Sequence, residues 1–270
     1  MSETARIDIL GRQQIRPIAK VPVLDLIQII VVSSAFLAAG LVKGVTGLGY
    51  TTSALPVITL AVGLHTAMPL VLFPSMASNL TVMVGAGHFR TTLRRFLLLY
   101  LALLPGLGLG LALVLTADQD LAASVLGLVI IVYCAFAFWR PALRLTERQE
   151  RTMQIPVGLL NGLINGFTGS QIIPLVPFML SLRLEADRFV QAVNIGFTLS
   201  SLVMVFGLSQ VGLLNWSTLL FSVAGIVPAI LGSWVGAILR RRLPDTRFRL
   251  FVLSVLTVLG AILVSRFFSR

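Results

Sequence analysis

Apolar residues in this chain do not alternate with polar ones; they run together in long blocks separated by short polar loops. A helix that crosses a bilayer needs about 20 mostly apolar residues, with a range of about 17–25. Seven blocks reach that length: Leu24–Val42, Thr66–Gly87, Phe96–Thr116, Leu121–Trp139, Ala186–Leu208, Trp216–Leu239 and Arg249–Phe267. The pattern predicts an all-α polytopic membrane protein. Residues 1–23 are polar and carry Arg6, Arg12, Arg16 and Lys20. A secretory signal starts in the same way, but the apolar block that follows is too long for one and leads into a Gly-rich motif. We read it as a true first helix.

Two further blocks are apolar but broken. Tyr50–Leu64 is short and contains Pro56, while Ile155–Leu182 contains Gly166, Gly169, Pro174 and Pro177. Such residues leave backbone groups unpaired, which is tolerated at membrane depth only where protein or an aqueous cavity covers them. These blocks are predicted to be half-helices or hairpins that line something.

Composition strengthens the membrane reading. Of the 270 residues, 57% are hydrophobic and 11% charged, with a mean hydropathy of +0.96, whereas a soluble domain is about 25% charged. A soluble enzyme, a disordered chain and a fibrous repeat all fit poorly. The net charge of +11 sits in loops between apolar blocks, where cations meet lipid headgroups and set orientation. Membrane lipids are therefore the expected macroscopic partner, and nucleic acid is not. The single cysteine, Cys134, allows neither an intramolecular disulfide nor a Cys-rich metal site.

The chain also repeats itself. At an offset of 122 residues, Gly40-Leu41-Val42-Lys43-Gly44-Val45-Thr46-Gly47 matches Gly162-Leu163-Ile164-Asn165-Gly166-Phe167-Thr168-Gly169 at five of eight positions. The apolar blocks that follow keep the same order, which points to a duplicated unit. This divides the chain into a polar segment (1–23), a first transmembrane repeat (24–139), a linker (140–154) and a second repeat (155–270).

Equivalent loops carry opposite charge bias. The loop His88–Arg95 is basic, and its counterpart Ser209–Asn215 is uncharged. Asp118 and Asp120 make the next loop acidic, and its counterpart holds Arg240, Arg241, Arg242 and Arg247. Under the positive-inside rule the two repeats are then inverted, with 88–95, 140–154 and 240–248 in the cytoplasm. Inversion places both termini outside, which the four basic residues before Leu24 oppose; the side of the N-terminus stays open.

The paired motifs are where function is expected to concentrate. Gly44, Gly47 and Gly49, with Gly166 and Gly169, let backbone amides approach a ligand, and Thr46 and Thr168 add hydroxyl donors. Amides and hydroxyls without carboxylates suit an anion. The alternative is that the glycines let helices pack closely, as Gly158-x-x-x-Gly162-x-x-x-Gly166, Gly106-x-x-x-Gly110 and Gly232-x-x-x-Gly236 also suggest. Lys43 is the one charge within the motif; it either pairs with a substrate oxyanion or snorkels to the interface. Its repeat mate is the neutral Asn165. Ser170, Gln171, Asn79, Gln191 and Asn194 can hydrogen-bond a ligand or hold helices together. His65 and His88 lie at segment ends as candidate proton relays or solvated loop residues. Glu185 and Asp187 share a loop with Arg183 and Arg188 and read as mutually paired. No metal-ligand spacing and no phosphate-binding loop occurs, so no metal, no cofactor and no enzymatic activity is expected.

At its two motifs the chain resembles the TauE/SafE family of sulfite and organosulfonate permeases. Each half of such proteins opens with a Gly-rich stretch leading to a proline. Here the first reads Gly44-Val45-Thr46-Gly47-Leu48-Gly49-Tyr50-Thr51 and then Pro56. The second reads Gly166-Phe167-Thr168-Gly169-Ser170-Gln171-Ile172 and then Pro174 and Pro177. Tyr50 and Thr51, and Ser170 and Gln171, stand where the pattern runs on in glycine, so this is a divergent branch. The resemblance spans about residues 24–266 and implies a small sulfur-containing anion as substrate, carried across the cytoplasmic membrane without ATP. Lys43, Gly44, Thr46, Gly47, Asn165, Thr168, Gly169, Ser170, Gln171 and Asn194 are the expected binding residues. Outward passage of an anion is downhill by about 2.3 kcal/mol per charge for each 100 mV, negative inside, which favours an exporter. The alternatives are a carrier of carboxylates, a channel, and an integral-membrane lipid-phosphate enzyme, although residues 40–60 and 160–180 lack the acidic residues and arginines that enzyme needs. Small-residue helix faces make a homodimer possible.

Overall fold

The structure, a computed structural model, describes residues 24–139, 143–240 and 245–268. Within them the chain is helical, with no strand. The first half contains α1 (Leu26–Thr46), α2 (Tyr50–Val62), α3 (Leu64–Ala86), α4 (Phe89–Arg95), α5 (Leu97–Thr116) and α6 (Gln119–Trp139). The second half contains α7 (Glu147–Thr168), α8 (Leu175–Ser181), α9 (Ala186–Gln210), α10 (Trp216–Ala224), α11 (Ile226–Arg240) and α12 (Asp245–Phe268). Seven spans are long and apolar enough to cross a membrane, with α10 and α11 together making one. The chain is a multi-pass membrane protein, and its spans fall where the apolar blocks predicted them.

Local chemistry sets the helix starts. Asp25 and Gln28 form a capping box at α1, and Thr146 and Gln149 form its counterpart at α7. Two boundaries differ from the sequence reading. The first block was expected to end at Val42, yet α1 continues to Thr46, so Lys43–Thr46 is its last turn. The linker 140–154 is helical from Glu147 onward, because the capping box starts α7 ahead of the apolar stretch. The segment 1–23, with its four basic residues, lies outside the described residues, as do Arg241 and Arg242.

The first broken block packs as one arm of a hairpin, with α1 as the other, and the second forms both arms of its hairpin, the end of α7 and α8. At the open end of the first, the Gln28 amide donates to Ala61 O at 3.5 Å, joining the start of α1 to the end of α2. At the open end of the second, Leu145 N donates to Ser181 O at 3.2 Å, joining the approach to α7 to the end of α8. The two open ends lie at opposite rims of the molecule. One rim gathers Leu60 beside Arg266, and Gly63 beside Gln119. The other gathers Arg95 beside Glu150 and Gln154, and Ala137 beside Arg249. The two tips, Gly47–Gly49 and Gly169–Pro174, therefore point into the protein from opposite directions.

The halves interlock reciprocally: α1 packs along α11, α7 packs along α5, α3 meets α9 and α6 meets α12. Glycine makes the two long contacts possible. A Cβ on Gly44 would lie 2.8 Å from Ala237 N of α11, and one on Gly166 would lie 2.7 Å from Leu111 N of α5. Facing them, Gly236 abuts Gly44 and Gly110 abuts Gly166. In lipid, where no hydrophobic force drives helices together, such close backbone approach supplies dispersion contact.

Candidate functional site

Both tips are built alike. Gly47 and Gly169 take the left-handed conformation (φ 79° and 76°) that closes a helix C-terminus. Their amides donate to Lys43 O and Asn165 O, each at 2.7 Å. The caps therefore fix Lys43 and Asn165 at equivalent places, one turn before each tip.

Lys43 is only 2% exposed. Its ammonium donates to Asn79 Oδ1 on α3 and, at 3.1 Å, to Asn194 Oδ1 on α9. Asn194 is itself held by Nδ2 donating to Val190 O at 2.7 Å. An ammonium offers three N–H groups, and these two acceptors are neutral. Among the described residues no carboxylate forms an ion pair with it. Placing a charge out of water without a counter-charge is costly, so this position is electrostatically suited to an anion.

In the second half, Asn161 Nδ2 donates to Gln171 O and Ile173 O, both at 3.0 Å, holding the tip strand against α7. Gln171 Nε2 in turn reaches Ser201 Oγ on α9 at 3.0 Å. Asn165 Nδ2, Asn161 Oδ1, Ser170 Oγ and Gln171 Oε1 are buried without a partner. The offset of 122 holds beyond the motif. It relates Asn79 to Ser201 and Ser78 to Ser200, whose hydroxyls are both buried and unpartnered. One half thus presents a buried lysine, and the other a set of neutral donors and acceptors.

The remaining expected residues fall into separate roles. Thr46 Oγ1 lies 2.9 Å from Val42 O and 2.7 Å from Leu48 O, and Thr168 Oγ1 donates to Ile164 O at 2.7 Å. These hydroxyls close their own helix ends. Gly44 faces the α11 backbone, in the packing role already described. A Cβ on Gly47 would meet nothing within 4 Å, whereas one on Gly169 would touch Leu55 at 3.1 Å and Met68 at 3.2 Å. The second tip therefore seats against α2 and α3. Ser170, Gln171 and Asn194 are buried. Glu185 pairs with Arg188 at 3.3 Å on the surface. No group of metal-ligating side chains assembles among the described residues.

Sequence reasoning did not single out Asn161 or Ser201. Asn161 stands four residues before Asn165, on the same helix face, and Ser201 is the repeat mate of Asn79. Extending the repeat register beyond the octapeptide would have found Ser201.

A family model described as Sulfite exporter TauE/SafE matches residues 32–263. No curated protein and no solved structure matches the chain.

Proposed function

We infer the function from one premise: the chain belongs to the TauE/SafE sulfite exporter family. We propose that it exports a small sulfur-containing anion, sulfite or an organosulfonate, across the cytoplasmic membrane. The observation that carries this reading is the Lys43 ammonium, buried between Asn79 and Asn194 with no carboxylate paired to it among the described residues. An oxyanion placed there would accept the third N–H of Lys43. Asn165, Ser170 and Gln171 would supply further hydrogen bonds, and Thr46, Gly47, Thr168 and Gly169 would fix the backbone corners around it.

The reciprocal packing of α1–α6 with α7–α12 supports two inverted repeats, and the clustering of basic residues at one rim supports its cytoplasmic placement. Two hairpins entering from opposite faces would give an arrangement around which one half can rock against the other. An anion leaving a negative-inside cell moves with the potential, by about 2.3 kcal/mol per charge for each 100 mV, so export needs no coupling ion.

Proteoliposomes loaded with labelled sulfite or a short sulfonate test this directly. Efflux should saturate, should rise with an outward-driving potential, and should fall at least tenfold when Thr46 and Thr168 are both changed to Val. Unchanged efflux in that double variant would remove the tips from the site.

A further inference from the structure

A half-enclosed cavity of about 440 Å³ lies between the first hairpin tip, α8, the end of α6 and the start of α12. Toward the basic rim, Leu143, Ser181 and Arg249 border it. Its wall is chiefly apolar, with Leu48, Phe136, Val176, Leu180, Phe189 and Leu256 facing inward. No carboxylate lines it among the described residues.

One corner is polar. Gly49, Thr52 and Ser53 there form the start of α2, whose N-cap is a glycine without a side-chain bond. The first backbone bond returning within this helix is Ser53 N to Gly49 O at 3.0 Å, which leaves the amides of Tyr50, Thr51 and Thr52 at the helix's positive end. Thr52 is 6% exposed and lines the cavity, and none of the hydrogen bonds among the described residues uses its hydroxyl. Ser53 Oγ is buried and without a partner. Arg249, which donates to Ala137 O at 2.7 Å, adds a positive charge to the wall.

A bare, strongly hydrated oxyanion gains nothing from aromatic and branched aliphatic walls, and one corner would suffice to hold it. We propose that this cavity is a loading site for amphiphilic organic anions, with the sulfonate or carboxylate head at Thr52 and Ser53 and an apolar body against Phe136, Leu180 and Phe189. The inference rests on the anion-carrier reading and adds to its substrate class organic anions with an alkyl or aryl body. Val42 and Thr46 of α1 line this cavity while Lys43 turns to α3 and α9, so cargo held here waits beside the central cation.

Binding of methane-, butane- and hexanesulfonate to the purified full chain in zwitterionic nanodiscs tests this. Affinity should rise about fourfold for each added CH₂ that the wall covers. Val252→Trp, which fills the cavity from its α12 wall, should abolish that rise and leave Lys43-dependent sulfite binding unchanged. Leu180→Gln, which makes the wall polar, serves as the second variant if the first fails to fold. Equal affinities along the series would overturn the cavity proposal, while Lys43-dependent sulfite binding in the same preparation would keep the carrier reading. A rise with chain length that persists in Lys43→Gln would keep the cavity and remove Lys43 from the site. An acyl lipid retained in native mass spectrometry and not displaced by hexanesulfonate would assign the cavity to lipid and overturn the proposal.

Discussion

The Lys43 ammonium sits 3.1 Å from Asn194 Oδ1, a contact across 151 residues that ties the first hairpin to a transmembrane helix of the opposite half. Together with Asn79 it makes one charged hydrogen-bonded unit from α1, α3 and α9. On the proposed mechanism, rocking one half against the other would rearrange this unit, joining binding and conformational change at one point.

That unit gives the first prediction. A hydrogen bond to a charged group contributes about 1.5–3 kcal/mol. Asn194→Leu should therefore weaken anion binding by about 10- to 100-fold, with assembly in the membrane intact. Asn79→Leu should act similarly, and the double variant should lose less than the sum because both act through one ammonium. Isothermal titration with a short sulfonate on each variant checks this.

Glycine positions on α5 separate packing from composition. A Cβ on Gly110 would lie 2.8 Å from Phe167 N, and one on Gly106 would lie 3.0 Å from Leu163 N. At Gly108, between them, it would meet nothing within 4 Å. Gly110→Ala should destabilise the protein by about 1–3 kcal/mol through overpacking. Gly108→Ala should be neutral or slightly stabilising, because alanine is the better helix former. Thermal unfolding in detergent compares the two, and equal effects would contradict the α5–α7 contact.

The rim pair Arg95–Glu150 joins the α4–α5 corner to α7 with two charge-assisted bonds of 2.7 and 2.8 Å. The carboxylate partner raises the affinity of the Arg95 guanidinium for its proton above an already high value, so the arginine stays charged at any working pH. The Arg95 side chain is 41% exposed, and solvent screens it. A double-mutant cycle should accordingly find no more than about 1 kcal/mol of coupling, shrinking as salt rises.

Topology is open to labelling. Cys134 is buried, so the chain's one thiol gives a silent background. A cysteine introduced at Ala117 or Gly212 should react with an impermeant maleimide added outside cells. One at Thr91 or Thr146 should react only after lysis. Thr91 and Ala117 reacting from the same side would contradict an odd number of crossings between them.

Much of this architecture was legible in the sequence because length and hydropathy alone fix which blocks can span. The seven blocks and the first broken segment reappear with boundaries shifted by a few residues, while the second broken segment is divided between α7, which starts earlier at Glu147, and α8. The first motif read less well. A lysine after an apolar run looks like a helix end, but Gly44 lets α1 pack against α11 for another turn and carries Lys43 inward. The role of Asn79 was unreadable because its meaning comes from α1 and α9, each far away in sequence. The cavity was hidden for the same reason: its lining draws on residues from Val42 to Leu256, and no local pattern marks them.

The central claim is that a buried lysine without a carboxylate partner receives an anion. Ligand-induced thermal stabilisation tests it most directly, using sulfite, thiosulfate, short sulfonates, carboxylates and phosphate on the intact protein and on Lys43→Gln. A ligand that binds only the folded state stabilises it by about 2.7 kcal/mol at 100 times its dissociation constant. The account predicts a clear upward shift in Tm with sulfite or a sulfonate, absent in a folded Lys43→Gln protein. An equal shift in both proteins would contradict it.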